Sequence, residues 1–178
     1  MRLPSLYQFF RHQVQHGFGK HGLAEPETVD YVSDMLTRFA HTRSLYPIYD
    51  REGRAVDRIA DMLAQSHTSA EWQDRAPDRH RQASLSRHVG EYTLFMSGLF
   101  RDRLRTRGEL GYYLANGQSA FWRCAKYEIN LKRQNVFRRL YSDFTSIADA
   151  LDHMARFQLR FSSANVTANT LIASLWRV

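Results

Sequence analysis

Apolar residues recur every three or four positions along most of the chain, which is the spacing of helices that bury one face. The longest regular run lies towards the C-terminus, where seven positions alternate spacings of three and four over three heptads. This run predicts a continuous helix over about 135–157, packed inside a bundle or across a dimer. The run consists of Phe137, Leu140, Phe144, Ile147, Leu151, Met154 and Gln158.

The same pattern, with glycine and proline marking the ends of segments, predicts the remaining elements. Three glycines at Gly17, Gly19 and Gly22 predict a mobile loop after the first helix, and Pro26 predicts the start of the second. The sequence therefore predicts an all-α helical bundle of about six helices in a single domain, 1–178. The predicted helices cover about 3–16, 26–41, 55–65, 78–101, 112–127 and 135–157, with a short C-terminal helix at about 170–176.

A stripe of mostly small residues marks one face of the predicted helix at 112–127. Tyr113, Gly117, Ala120 and Cys124 follow each other at spacings of four, three and four. Small side chains let a neighbouring helix approach closely. Because glycine costs about 1 kcal/mol against alanine inside a helix, close packing is one explanation for Gly117, and a tolerated helix defect is the other.

One carboxylate, Glu91, lies in the otherwise apolar stretch HVGEYTLFMSGLF at 88–100. In a helix it shares a side with Leu94, Phe95 and Gly98. A buried carboxylate must be paired, protonated or bound to metal, because desolvating a lone charge is costly. Glu91 is therefore either a structural hydrogen-bond acceptor or part of a ligand or metal site. The candidate partners are Arg87, His88, Tyr112, Tyr113 and Ser119.

Two segments of the chain, 90–100 and 112–121, resemble a known sequence pattern. The pattern is that of uncharacterised bacterial helical proteins with a G-(D/E)-x-x-L-F-x-S-G-F-F segment followed by a Y-Y-x-x-x-G-x-x-A-Y segment. Leu99 replaces a phenylalanine of that pattern and Phe121 replaces its final tyrosine. The resemblance covers about a fifth of the chain and implies a helical fold but no activity. The matching residues are Gly90, Glu91, Leu94, Phe95, Ser97, Gly98, Leu99, Phe100, Tyr112, Tyr113, Gly117, Ala120 and Phe121.

Basic residues give the chain a formal net charge of +7, and arginines outnumber lysines among them by 22 to 3. Guanidinium groups bind phosphates and carboxylates in a bidentate manner, so this charge favours nucleic acid or an acidic protein as partner. A codon preference for arginine explains the same composition, and interleaved acids such as Asp102 weaken a continuous basic face. The candidate residues for an anionic partner are Arg101, Arg103, Arg105, Arg107, Arg138 and Arg139.

The sequence contains no complete motif for metal, cofactor or nucleophile chemistry, so it gives no support for catalysis. His12 and His16 have the i, i+4 spacing of metal ligands, but neither Glu-x-x-His nor His-Glu-x-x-His accompanies them. They are weak candidates, and no metal or other cofactor is predicted. The single cysteine, Cys124, belongs to the small-residue stripe, which predicts a packing role. No nucleophile elbow, P-loop or dinucleotide fingerprint occurs, so no catalytic residue is assigned.

The chain shows neither the apolar core of a signal peptide nor a run of about 18 apolar residues that would span a bilayer, which predicts a cytoplasmic protein. The leading hypothesis is a non-enzymatic interaction module, a subunit or adaptor of a bacterial assembly that binds a protein or a second copy of itself. Tyr46, Tyr49 and Trp72 are candidate contact residues, since aromatic residues favour interfaces. The alternatives are a nucleic-acid-binding protein and a small-molecule or metal site between the Glu91 and Tyr112 helices.

Overall fold

The computed structural model describes residues 5–40 and 79–159, and these form helices joined by short connections. The predicted all-α helical bundle is confirmed. The predicted helices at 55–65 and 170–176, and Tyr46, Tyr49 and Trp72, lie outside the described residues. The described helices are α1 (Leu6–Gly19), α2 (Pro26–Phe39), α3 (Arg79–Leu99), α4 (Arg101–Thr106), α5 (Leu110–Tyr127), α6 (Leu131–Ser142) and α7 (Phe144–Met154).

Helix α1 continues three residues further than the sequence predicts. Ser5 caps its start, because the Ser5 hydroxyl accepts a hydrogen bond from the Gln8 backbone while the Gln8 side chain bonds back to the Ser5 backbone. The prediction of a loop from Gly17 is wrong for the first part of that segment. Gly17 stays helical and is buried, and a Cβ added to it would lie 3.7 Å from the Cβ of Met154. The turn comes at Gly22, whose φ of +68° suits glycine.

The predicted helix at 78–101 corresponds closely to α3, and the short helix α4 that follows it was not predicted. The backbone leaves the helical conformation at Phe100 (φ −117°, ψ 28°), so α3 ends at Leu99 and α4 begins at Arg101. Leu104 is buried and anchors the short α4. Helix α4 ends at Thr106, and the chain turns at Gly108, where φ is +70°. Because α4 carries a single buried apolar residue, apolar periodicity does not detect it.

The predicted continuous helix over 135–157 is also wrong in its extent and continuity. Asn130 caps α6 by accepting a hydrogen bond from the Arg133 backbone at 3.1 Å, so the helix begins at Leu131. Asp143 (φ −107°, ψ 17°) separates α6 from α7. A π-helical turn, Ala155–Leu159, follows α7. The heptad spacing survives the interruption, since Phe137, Leu140, Phe144, Ile147, Leu151 and Met154 are all buried.

The core forms where α3 packs against α5 and α7, while α1 packs on α2 and α7, and α6 packs on α5. The predicted close approach at the small-residue stripe is present. A Cβ added to Gly117 would lie 2.2 Å from Cζ of Phe144 and 2.3 Å from the Thr93 hydroxyl oxygen. Gly117 is therefore needed for packing. Within the described ranges no helix is both long enough and apolar enough to cross a membrane.

Candidate functional site

Glu91 is almost fully buried, with 2% of the residue exposed, and its charge is paired. Arg38 donates from both terminal nitrogens, at 2.8 Å to Oε1 and 3.2 Å to Oε2, and the Tyr31 hydroxyl donates to Oε1 at 2.6 Å. This two-oxygen geometry is the strong form of a charge-assisted pair. We call Tyr31, Arg38 and Glu91 the carboxylate lock, since they fasten α2 to α3.

The protonation states within the carboxylate lock follow from burial and charge. Burial raises the pKa of Tyr31, and the negative charge of Glu91 raises it further, so the hydroxyl stays protonated and donates. Burial lowers the pKa of Arg38, but its hydrogen bonds to Glu91 and the charge of that group outweigh this and raise the pKa overall. The lock therefore holds one cation, one anion and one neutral donor, all mutually bonded.

Of the predicted partners, Arg87 does lie beside the Glu91 carboxylate, whereas the short hydrogen bonds come from Tyr31 and Arg38, which were not predicted. Tyr112 and Ser119 are exposed, so the structure places them at the surface instead of at the carboxylate. Tyr113 packs its ring on Tyr92 at 6.4 Å, and His88 is buried between aromatic rings. Arg87 Nε lies 4.0 Å from Oε1 of Glu91.

The hydrogen-bond partners, Tyr31 and Arg38, are separated by seven residues and therefore share one face of α2. The spacing therefore indicates from the sequence that the two side chains could bind one group together. Nothing in the sequence states that this face of α2 meets Glu91, which lies more than fifty residues later in the chain.

The arginine candidates do not form one uncommitted basic face. Arg101 is buried and pairs with Asp149 at 2.5 Å. Arg139 pairs with Glu25 and with Asp143. These guanidinium groups hold helices together: Arg101 joins α4 to α7, and Arg139 joins α6 to the start of α2. The remaining candidates are Arg103, which is half-buried, and Arg105, Arg107 and Arg138, which are exposed.

The structure places the metal candidates His12 and His16 at the surface and the nucleophile candidate Cys124 in the core. His12 and His16 are exposed on α1, and the described part of the chain holds no group of three or more His, Cys, Asp or Glu side chains able to bind a metal ion. Burial, aided by the negative charge of Glu91, raises the pKa of the Cys124 thiol to about 12. A thiol with that pKa remains protonated near neutral pH and is a weak nucleophile.

A cluster of exposed apolar side chains lies where α5 ends and α6 begins. Four large residues there are exposed: Ile129 by 92%, Leu131 by 73%, Tyr127 by 65% and Trp122 by 47%. We call these four residues the α5–α6 corner. The ammonium group of Lys126 lies 5.2 Å from the Trp122 ring and 5.5 Å from the Tyr127 ring, so it makes a cation–π contact with each.

The α5–α6 corner is unusual for its density. Seven large apolar residues of the described chain are exposed, and four of them fall within ten consecutive positions. Single exposed apolar residues are ordinary, whereas clusters mark interaction surfaces. The sequence signal is the alternation of apolar and polar residues over 127–131, but it lies in the connection between two predicted helices, where helical periodicity does not apply.

Comparisons with protein-family models, curated protein sequences and solved structures find no match to the chain.

Proposed function

We propose that the protein is a non-enzymatic interaction module that binds a protein partner through the α5–α6 corner. The observation that carries this proposal is the exposure of Tyr127, Ile129 and Leu131 within five consecutive residues. Leaving several large apolar side chains in water is unfavourable by roughly 25 cal/mol per Å² of apolar surface. A partner that covers them recovers this free energy on binding.

The composition of the corner supports a protein partner of mixed apolar and acidic character. Trp122 and Tyr127 belong to the residue types that supply most of the binding energy in protein interfaces. Three cations, Lys126, Lys132 and Arg133, are exposed beside them. Basic groups around an apolar centre favour a partner whose apolar contact is surrounded by carboxylates, because complementary charges speed association and exclude other partners.

Nucleic acid is the alternative, and the geometry favours it less. Phosphate binding needs several uncommitted cations on a continuous face. Arg101 and Arg139 are committed to ion pairs within the chain, and Arg156 pairs with both Asp152 and Asp102.

The test uses affinity capture from the native cell extract with the full chain and two variants. The corner variant carries Trp122→Ser and Leu131→Ser. The control carries Tyr112→Ser, because Tyr112 is exposed to the same extent as Trp122 but lies at the other end of α5. Each capture is made with and without nuclease.

The proposal expects a protein that the wild-type chain and the Tyr112 variant retain equally, that the corner variant loses at least about tenfold, and that nuclease does not release. Two aromatic or apolar anchors at a hot spot supply such a loss, since tenfold is only about 1.4 kcal/mol. Release by nuclease would support the nucleic-acid alternative. Retention of every captured protein by the corner variant would show that the corner is not the binding surface.

A further inference from the structure

A groove with a volume of about 350 Å³ lies between α3, the end of α5 and the start of α6. We infer that this groove is a binding site for a small amphipathic carboxylate, a molecule that carries one carboxylate group on a flat apolar body. The size lies within the range of small-molecule sites. The lining residues are Ala83, Ser84, Arg87, Cys124, Tyr127, Glu128, Ile129, Arg133 and Phe137.

Arg87 brings a partly exposed positive charge to the groove, and its ion pair with Glu91 is long. Its Nε lies 4.0 Å from Oε1 of Glu91, beyond hydrogen-bond distance. Glu91 cannot turn to meet it without giving up the bonds that it accepts from Arg38 and Tyr31. The side chain of Arg87 is 44% exposed. The carboxylate lock therefore leaves this guanidinium available to an anion in the groove.

Arg133 is the second cation of the groove, and its position is partly fixed. Its guanidinium carbon lies 6.0 Å from the centre of the Phe137 ring, and its Nε lies 3.4 Å from the Glu128 carboxylate. Two guanidinium groups and one carboxylate leave the groove with a net positive charge. Planar guanidinium groups bind carboxylates through paired hydrogen bonds.

The floor of the groove is apolar and uncharged. Phe137 and Cys124 are both buried, and burial holds the Cys124 thiol in its protonated form, with a pKa of about 12. Tyr127 and Ile129 contribute apolar side chains to the wall. An apolar floor beneath a cationic rim matches a ligand with an apolar body and a single negative group. A doubly charged, fully polar ligand would lack an apolar group to cover the floor of the groove.

The inference is tested with 3-phenylpropionate as the probe and two matched molecules, the neutral 3-phenylpropanamide and the cationic 3-phenylpropylamine. The probes are titrated into the ¹⁵N-labelled full chain, and affinity and location are read from the backbone amide chemical shifts. The variants are Arg87→Gln, Arg133→Gln and Ala83→Phe, the last of which fills the groove from an exposed wall position. The control is Arg107→Gln, an exposed arginine that does not line the groove. Thermal unfolding confirms that each variant is folded.

Binding of 3-phenylpropionate with shifts centred on residues 83–87 and 124–133 is expected. We expect the amide to bind at least about tenfold more weakly, and each arginine variant to lose a similar factor, because a charge-assisted hydrogen bond contributes about 1.5–3 kcal/mol. Ala83→Phe should abolish binding, and Arg107→Gln should leave it unchanged. Equal affinity for the carboxylate and the amide, unchanged binding by Ala83→Phe, or no binding at millimolar probe would each overturn the inference.

This site shares Tyr127 and Ile129 with the α5–α6 corner, but the two proposals have separate readouts and can fail separately. The groove variants alter Arg87, Arg133 and Ala83, whereas the corner variant alters Trp122 and Leu131, which do not line the groove.

Discussion

The middle and the C-terminal end of helix α5 place their side chains in opposite environments. In its middle, Gly117, Ala120 and Phe121 are buried against α3 and α7, and the fit leaves no room for one additional methyl group at Gly117. At its C-terminal end, Trp122 and Tyr127 face outwards and continue into the exposed Ile129 and Leu131. The packed middle fixes the helix, and a fixed helix presents the corner at a low entropic cost on binding.

The largest expected effect comes from Gly117→Ala. The added Cβ would overlap the Phe144 ring and the Thr93 hydroxyl, so we expect a loss of about 2–3 kcal/mol in the free energy of unfolding, after the gain in helix propensity. The matched control is Gly111→Ala in the same helix, where an added Cβ meets no atom within 4 Å. The control should be neutral or stabilise by up to about 1 kcal/mol. Equal unfolding midpoints for the two variants in urea would contradict the packing account.

A second variant, Arg38→Met, separates buried from exposed charge. Among the described residues, it leaves buried Glu91 with Tyr31 as its remaining close donor. Breaking a fully buried pair costs about 3–5 kcal/mol, but the Arg38 side chain is 37% exposed, so we expect about 2 kcal/mol. Arg11→Met breaks an ion pair of similar length, 2.7 Å to Asp30, that is largely exposed, and it should cost less than about 1 kcal/mol. Urea denaturation of both variants gives the comparison, and similar losses would show that the lock is no stronger than a surface pair.

Alkaline pH tests the packed middle of α5 through Cys124. The pKa of its thiol rises from about 9 in the unfolded chain to about 12 in the fold. Its contribution to stability is therefore complete below pH 9 and is lost as pH rises towards 12. Between pH 9 and 10 this amounts to about 1 kcal/mol.

Cys124→Ala removes that titration, so its unfolding free energy should decline less steeply than that of the wild type over the same interval. The raised pKa of Tyr31 adds a loss in the same direction above pH 10 in both proteins, and it cancels in the comparison. If the unfolding free energies of the two proteins declined in parallel with pH, the pKa of the thiol would not be raised by folding.

The difference between the packed and the exposed parts of α5 also separates what the sequence predicts from what it does not. Periodicity identified the buried faces, including the close approach at Gly117, because core positions repeat with the helical turn. The same periodicity missed the short helix α4 and the interruption at Asp143, where the apolar repeat continues although the backbone does not. Local capping residues, such as Asn130, decide such boundaries.

The candidate sites were less predictable, because pairing between helices depends on tertiary contacts. Burial and pairing of Glu91 followed from the sequence, but its partners Tyr31 and Arg38 lie on a helix far away in the chain. The arginine-rich composition suggested a binding face, whereas Arg101 and Arg139 serve as links between helices. The groove beside Arg87 combines three helices and had no sequence signal of its own.

The smallest expected effect on stability comes from the α5–α6 corner, and it is the decisive one for function. Leu131→Ser removes a side chain that is 73% exposed at the first position of α6, so the free energy of unfolding should change by no more than about 0.5 kcal/mol. The same substitution should weaken binding of a corner partner, since that partner would bury the surface that water now covers. If Leu131 instead served the fold, the substitution would lower the free energy of unfolding and leave binding unchanged. Urea denaturation and partner capture on the same protein preparation distinguish the two, and a loss above about 1 kcal/mol would place Leu131 with the packed core instead of the binding surface.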